Sequence, residues 1–595
     1  MGRYVFQKGD NYKIINILLV ILLFVLLLLT QFASDQLFES GYFSYAAIFM
    51  IGLLASVMLV IKAIRINGTI CFNAIDLSFV AFAVLLSLRW IGTGNSWIYS
   101  KAAIAVAIVP IYFFVRQYKQ AYHFHWAIVF TGMVQVAVAM LQKTGFLTNI
   151  NASFQAGGLV GNPNILAMLL LLSLPSAIFI HSTTKPTALK RAIIAYILLA
   201  LAVITLTKCR SAIVGCIVLG IFFLYKNKRL IVKRSTMLLC AGALGLACSG
   251  FVLLNFEKAG SLIGRLLIWQ SCLVKIIEKP FLGYGISSFR QVYPEGQRVF
   301  LEKNPSPMYL NVADQPQWAY NDFIEFWMEG GLFTALAFLT VLLSVLYYWK
   351  AQKRFNISRN NISYLSALIF FILSAFNFAY TAWPVLLVFV VSLAWCARTS
   401  NNPIQIRPGR KVNLWLIIAL ILFSGNVLLG IDAGKNLLFQ YQFKNADALP
   451  LHGQREFYDR SQERYGLYAP FLFKYAAFLN LEGKKTEALE ALLRLNGHAR
   501  SYQASYQLAG TYLEMNDMKN ARVYYEEAIK YLPNRILPRY HLFMIELLDK
   551  NYIKADSIRK QIMHLDFKGD TVFINQIKES LWKYNTNEKQ NGLIK

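Results

Sequence analysis

Apolar runs long enough to cross a bilayer recur through the first 432 residues of this chain. They fall at about 14–32, 43–61, 74–91, 102–115, 124–142, 163–180, 191–207, 211–225, 235–255, 323–349, 362–380, 383–396 and 413–432. A hydrocarbon core needs roughly 20 apolar residues of helix to span it. Inside it every backbone polar group must be satisfied within the protein, which favours helices. The chain is therefore read as an all-α, polytopic bundle of about thirteen transmembrane helices. The charged fraction is only 15% against 56% hydrophobic residues, too apolar for a soluble chain of 595 residues. The run at 14–32 is too long for the apolar region of a signal peptide and is read as the first span.

Charge sets the orientation. The net charge of +28 lies mostly before residue 433, because residues 433–595 hold 24 Lys+Arg against 18 Asp+Glu. Basic residues cluster in alternate loops: Lys62 and Arg65, Arg116 and Lys119, Lys185 to Arg191, Lys226 to Arg234, Lys350 to Arg359, and Arg398 to Lys411. That is the positive-inside pattern, so the charge is read as topology control and no nucleic-acid partner is expected. With Arg3, Lys8 and Lys13 ahead of the first span, the N-terminus is expected to be cytoplasmic, and everything after about 432 to lie on the far side.

Some basic residues break the pattern. Lys208 and Arg210 occupy a tight outward turn, LTKCRSA, Arg89 sits near the outer end of the third span, and Arg265 lies in a long outer loop, 256–321. Charges kept at the outer boundary against the bias point to function, with snorkelling to lipid headgroups as the alternative, above all for Arg89. The loop carries an amphipathic stretch ending at Pro280, then a Gly-punctuated turn and a polar, Pro-containing segment. Loops of this length are usually functional.

Two domains follow: a transmembrane domain at 1–432 and a far-side helical domain at 433–595. In the second, Ala488, Ala521 and Ala555 recur at intervals of 33 and 34 residues, and Leu508, Ala509, Tyr512, Tyr525, Ala528 and Pro533 fit a tetratricopeptide-like helix–turn–helix repeat. Such stacks serve as scaffolds or as docking faces for a protein partner.

No P-loop, GxSxG, HExxH or CxxC is present, and the seven cysteines show no metal-ligand spacing. No histidine falls on the expected outer face of the membrane domain, so neither a metal nor a cofactor is expected there. What that face does carry is four short motifs. GNPN includes Asn162 and Asn164, with Asn162 and Pro163 also suited to start a helix. TKCRSA includes Arg210. RLLIW…PFLGYG includes Arg265, Trp269 and Tyr284, and YNDFIEFWMEGG includes Tyr320, Asn321, Asp322, Glu325 and Glu329.

In order and spacing these motifs resemble the bacterial O-antigen ligase and polymerase family, which includes O-oligosaccharyltransferases. The resemblance covers roughly residues 80–400. It implies a GT-C-like membrane bundle in the bacterial inner membrane. The implied reaction is metal-independent transfer of a glycan from undecaprenyl pyrophosphate to lipid A-core, to another glycan or to a protein, on the periplasmic side. Arg210 and Arg265 would then hold the pyrophosphate, with Arg89 as a third contact, since guanidinium groups stabilise developing oxyanions. Trp269, Tyr284 and Trp318 would face sugar or anchor at the interface. Where the family pattern has histidine, this chain has Tyr320, and an unperturbed tyrosine (pKa about 10) is a poor base at neutral pH. Tyr320 and Asn321 would then position the acceptor, Asp322 or Glu325 would take the proton, or leaving-group stabilisation would dominate. A non-enzymatic transporter of lipid-linked glycans and an assembly scaffold are the rivals from other classes.

Overall fold

The computed structural model describes residues 42–65, 70–91, 100–117, 121–149, 151, 153–226, 259–351, 362–399, 404–406 and 413–590. Two of the expected spans, 14–32 and 235–255, lie outside them. In chain order the helices are α1 (Tyr42–Arg65), α2 (Ala74–Ile91), α3 (Lys101–Gln117), α4 (Ala121–Lys143), α5 (Pro163–Thr183), α6 (Thr187–Leu206) and α7 (Arg210–Lys226). Then come α8 (Ala259–Glu278), α9 (Phe289–Lys303), α10 (Pro307–Leu310), α11 (Asp322–Ala351), α12 (Ile362–Phe376), α13 (Trp383–Thr399) and α14 (Leu414–Asn445). The C-terminal helices are α15 (Leu451–Tyr465), α16 (Ala469–Leu481), α17 (Lys485–His498), α18 (Tyr502–Glu514), α19 (Met518–Tyr531), α20 (Leu537–Leu548), α21 (Tyr552–His564) and α22 (Thr571–Gln590). Each of the other eleven expected spans coincides with a helix.

Seven helices are long and apolar enough to cross a membrane, in segments 43–64, 123–143, 163–183, 187–206, 260–278, 322–350 and 414–448, and shorter apolar helices cover 210–222, 362–376 and 383–399. The fold is a polytopic helical membrane protein. One short antiparallel pair, β1 (Ile70–Phe72) with β2 (Ile404–Ile406), in register Cys71 to Gln405, is an addition the apolar pattern did not announce.

Contacts divide the chain into two compact units, 1–257 with 320–447, and 258–319 with 448–595. In the first, α3, α5 and α13 are apolar on nearly every side and buried along most of their length, so they form its centre. The outer helices expose Leu198, Ile421 and Leu428, apolar residues suited to a hydrocarbon solvent.

One end of this unit gathers basic loop ends. Lys62 donates to the carbonyl of Gln117 at 3.3 Å, Arg398 to that of Arg116 at 3.0 Å, and Asn73 to that of Ala397 at 2.6 Å. Buried Asp76 accepts from Tyr112 at 2.6 Å and pairs with Arg116 at 2.7 Å. Three of the basic loop ends, those at Lys62, Arg116 and Arg398, thus share one end of the bundle.

In the second unit, the outer loop and the C-terminal helices fold together. The sequence-drawn boundary at 432/433 falls inside α14, which continues to Asn445. Helix pairs α16/α17, α18/α19 and α20/α21 pack in succession, with Ala488, Ala509, Ala521 and Ala555 almost fully buried at the crossings. The loop contains a helix that its polar, Pro-containing sequence hid. Helix α9 runs through Pro294, whose missing N–H removes one bond near the helix start. It buries Phe289, Tyr293, Gln297 and Leu301, spaced four apart on one face.

Helices α8 and α9 cross at Gly296. A Cβ there would lie 2.5 Å from the Ser271 carbonyl oxygen and 2.9 Å from Lys275 Cγ. A backbone carbonyl cannot move away cheaply, so Gly296→Ala is expected to destabilise the unit by about 1–3 kcal/mol. A lower unfolding temperature in detergent is the check, and an unchanged one would show that the crossing tolerates a side chain.

Candidate active site at the outer end of the bundle

Opposite the basic end, the motif residues of the first unit converge on the connection between α12 and α13. The apolar run placed residues 377–380 inside a span, and the structure corrects this: α12 stops at Phe376. Side chains capture the backbone there. The Phe378 N–H donates to Asn377 Oδ1 at 3.1 Å, and the Tyr380 N–H donates to Asp322 Oδ2 at 2.9 Å. Asn377 Nδ2 reaches Ser211 Oγ at 3.1 Å, next to Arg210 at the start of α7. The Tyr320 ring meets Phe378 edge-on, with centroids 5.6 Å apart. Arg210, Tyr320, Asn321 and Asp322 are therefore organised around one turn.

The chain is strained at two of these motifs. Lys208 and Tyr320 have φ of 52° and 54°, the non-glycine residues of this unit in the left-handed region among those described. That conformation is uncommon outside glycine, and for bulky residues it is held only where the surroundings fix it, often at functional sites. Asn321 follows, its side chain accepting from the N–H groups of Phe323 at 3.0 Å and Ile324 at 3.2 Å. It is the cap of α11. The helix then breaks at Gly331, where φ is 77° and ψ −179°. Glu329 thus closes a short first segment of α11.

Below this turn lies a buried charge cluster. Lys101, the first residue of α3, contacts Glu325 and lies 2.8 Å from Glu329 Oε2. All three are buried, Glu329 completely. Tyr380 donates its hydroxyl to the Lys101 carbonyl at 3.2 Å, which joins the cluster to the turn. Sequence reasoning named Glu325 and Glu329 but missed Lys101, Asn377, Ser211 and Tyr380. A signal for Lys101 existed, since it is one more lysine on the expected outer side.

The GNPN motif ends a separately built loop. Gln142 accepts from the N–H groups of Gly157 at 3.0 Å and Gly158 at 2.8 Å, and Gln135 accepts from that of Leu159 at 2.9 Å. Asn162 accepts from the Asn164 N–H at 2.9 Å and caps α5. Arg89 sits in the last turn of α2.

Residues 195–339 match the family model described as O-antigen ligase. That match supports the O-antigen ligase/polymerase family for this segment of the chain. The matched segment contains Arg210, Arg265 and Tyr320 to Glu329, while residues 377–380, on which Ser211 and Asp322 converge, lie beyond it. No curated protein matches the chain. Members of the O-antigen ligase family are glycosyltransferase-like enzymes acting on lipid-linked glycans and their acceptors.

The remaining predicted residues lie in the second unit. Arg265 is half-buried on α8, and Trp269, one turn on, donates Nε1–H to the Ala319 carbonyl at 3.0 Å. The Tyr284 hydroxyl donates to Glu278 at 2.5 Å, and the Lys275 and Lys279 ammonium groups lie 5.2 and 4.7 Å from its ring. Tyr284 thus sits in a cationic setting, and Trp269 ties the Arg265 helix to the residue before Tyr320. Among the described residues no group of three His, Cys, Asp or Glu is placed to hold a metal ion.

Proposed function

We propose that this protein transfers a glycan from undecaprenyl pyrophosphate to an acceptor hydroxyl at the periplasmic face of the bacterial inner membrane. The observation that carries the reading is the convergence on residues 377–380 of the Arg210 turn and the Tyr320–Asp322 segment, both of which fall within the O-antigen ligase segment. The gathering of three basic loop ends at the other end supports a cytoplasmic N-terminus and a periplasmic C-terminal domain. The period of the C-terminal helix pairs supports a tetratricopeptide-like architecture.

In this reading the acceptor oxygen attacks the anomeric carbon, the bond from that carbon to the phosphate oxygen breaks, and the electron pair leaves with the pyrophosphate. Arg210 binds the departing oxyanion, and the motif resemblance gives Arg265 the same role. The acceptor's proton goes to a carboxylate. Glu325 is committed to its contact with Lys101. That leaves Asp322, fixed on one oxygen by the Tyr380 N–H, as the proton acceptor, with Tyr320 positioning the hydroxyl.

Asp322→Asn is then expected to lower transfer by about 10²–10⁴-fold, the usual contribution of general base catalysis. Tyr320→Phe is expected to cost less. If Tyr320→Phe proved the more damaging, tyrosine and not Asp322 would be the essential group. The assay is a gel of surface glycan from a deletion strain complemented with each variant. Lipid A-core ligation is the leading form of the reaction. Long glycan stranded on the carrier in the deletion strain indicates ligation or protein glycosylation. Single repeat units on the acceptor indicate polymerisation. Normal surface glycan in the deletion strain would overturn the transfer reading.

A further inference from the structure

The C-terminal helices hold the outer loop through buried polar contacts. Asn534, in the turn between α19 and α20 and almost fully buried, donates to the carbonyls of Asn311 at 3.1 Å and Ala313 at 2.9 Å. Gln297 of α9, equally buried, donates to the Tyr531 carbonyl at 3.1 Å. It accepts from the Tyr293 hydroxyl at 2.7 Å and from the Asp314 N–H at 3.4 Å. The Tyr531 hydroxyl returns a bond to Glu295 at 3.1 Å. Asp314 pairs with Arg535 at 3.2 Å and Lys568 at 2.5 Å. Leu532 joins Leu267, Leu301 and Ala313 in a common apolar cluster.

The carbonyls that Asn534 serves belong to an irregular segment with no ladder of its own. A buried carbonyl without a donor is costly, so the bond to buried Ala313 above all holds the segment's conformation. The contacts also run on in one direction. The α9 helix crosses α8 at Gly296, α8 carries Arg265, and Trp269 of α8 holds Ala319, the residue before Tyr320 in the chain.

We propose that the C-terminal helical domain is a clamp for its own chain's outer loop: Asn534, Tyr531, Arg535 and Lys568 fix residues 295–314, and through them the α8 helix that carries Arg265. The domain's principal partner is then intramolecular, and Asn534 is a positioning residue for the transfer reaction. This rests on the transfer reading above for its functional consequence. The clamp itself does not depend on it.

The test uses the full-length protein in detergent, with hydrogen exchange and complementation read on the same variants. Asn534→Ala is expected to speed exchange of amides in 309–316 by about tenfold or more, while amides of α18 keep their protection. Transfer is expected to fall by about ten- to a hundredfold, the usual result of small misplacement of a reacting group. Should Asn534→Ala fail to fold, Asp314→Lys and its combination with Lys568→Asp replace it. The single change is expected to loosen the segment and lower transfer, and the pair to restore both. Unchanged exchange in 309–316 overturns the clamp. A loosened segment with full transfer overturns the positioning role and leaves the transfer reading standing. If the wild type itself transfers nothing, the transfer reading fails, and loss of protection in the variant still supports the clamp.

Discussion

Arg210→Ala is expected to lower glycan transfer by about 10²–10³-fold, the cost of removing one preorganised stabiliser of a developing oxyanion. The expectation rests on how Arg210 is held. It opens α7 after a left-handed Lys208, and its neighbour Ser211 is tied to Asn377 at 3.1 Å. A helix N-terminus adds positive potential to the guanidinium. Both favour a pyrophosphate more as it leaves than when it is esterified. Arg210→Lys keeps the charge but loses the planar fork that binds two oxygens at once, so it is expected to recover only part of the activity. Deletion cells carrying Arg210→Ala should accumulate glycan on the lipid carrier, with protein levels in the membrane unchanged. Arg265→Ala is expected to act in the same direction. Wild-type transfer by both alanine variants would remove the pyrophosphate role from these arginines.

The residues that carry this expectation were legible in the sequence because they violate a local rule. A basic residue on the expected outer side stands out against the positive-inside bias, and an Asn-Pro or Tyr-Asn-Asp at the edge of an apolar run marks a helix start. The partners were not legible, because apolar periodicity reports burial and says nothing of what a residue meets. Lys101 acquires its meaning from carboxylates 224 and 228 residues away, and Asn377 from a serine 166 residues earlier. The α12–α13 turn was hidden because its breakers, Asn377 and Tyr380, sit among Phe, Ala and Trp and read as apolar. Helix α9 was hidden by Pro294 and by its polarity, although Phe289, Tyr293, Gln297 and Leu301 keep a regular spacing of four. The long-range bond from Gln297 to Tyr531, 234 residues on, explains why the loop reads as polar and yet folds.

Lys101→Met is expected to destabilise the first unit by about 3–5 kcal/mol, because it strands buried carboxylates beside one another. Lys101 lies 2.8 Å from Glu329, contacts Glu325, and is itself only 7% exposed. Methionine preserves the length and apolar volume of the stem, so the loss reports charge and not packing. The accompanying triple change, Lys101→Met with Glu325→Met and Glu329→Met, removes all three charges together. Replacing a whole buried ion cluster by apolar groups of similar volume is often nearly neutral for stability, so the triple variant is expected to unfold close to the wild-type temperature in detergent. If the single change also left unfolding unaltered, the cluster would not be the desolvated ion set the geometry describes. The triple variant then separates two roles that a single mutant confounds. Should it fold and transfer glycan normally, the cluster serves only to join α3 to the first segment of α11. The expected result is a folded protein with impaired transfer. Tyr380 links the Lys101 carbonyl to the turn that holds Asp322, and the break at Gly331 leaves that segment dependent on its charged anchor.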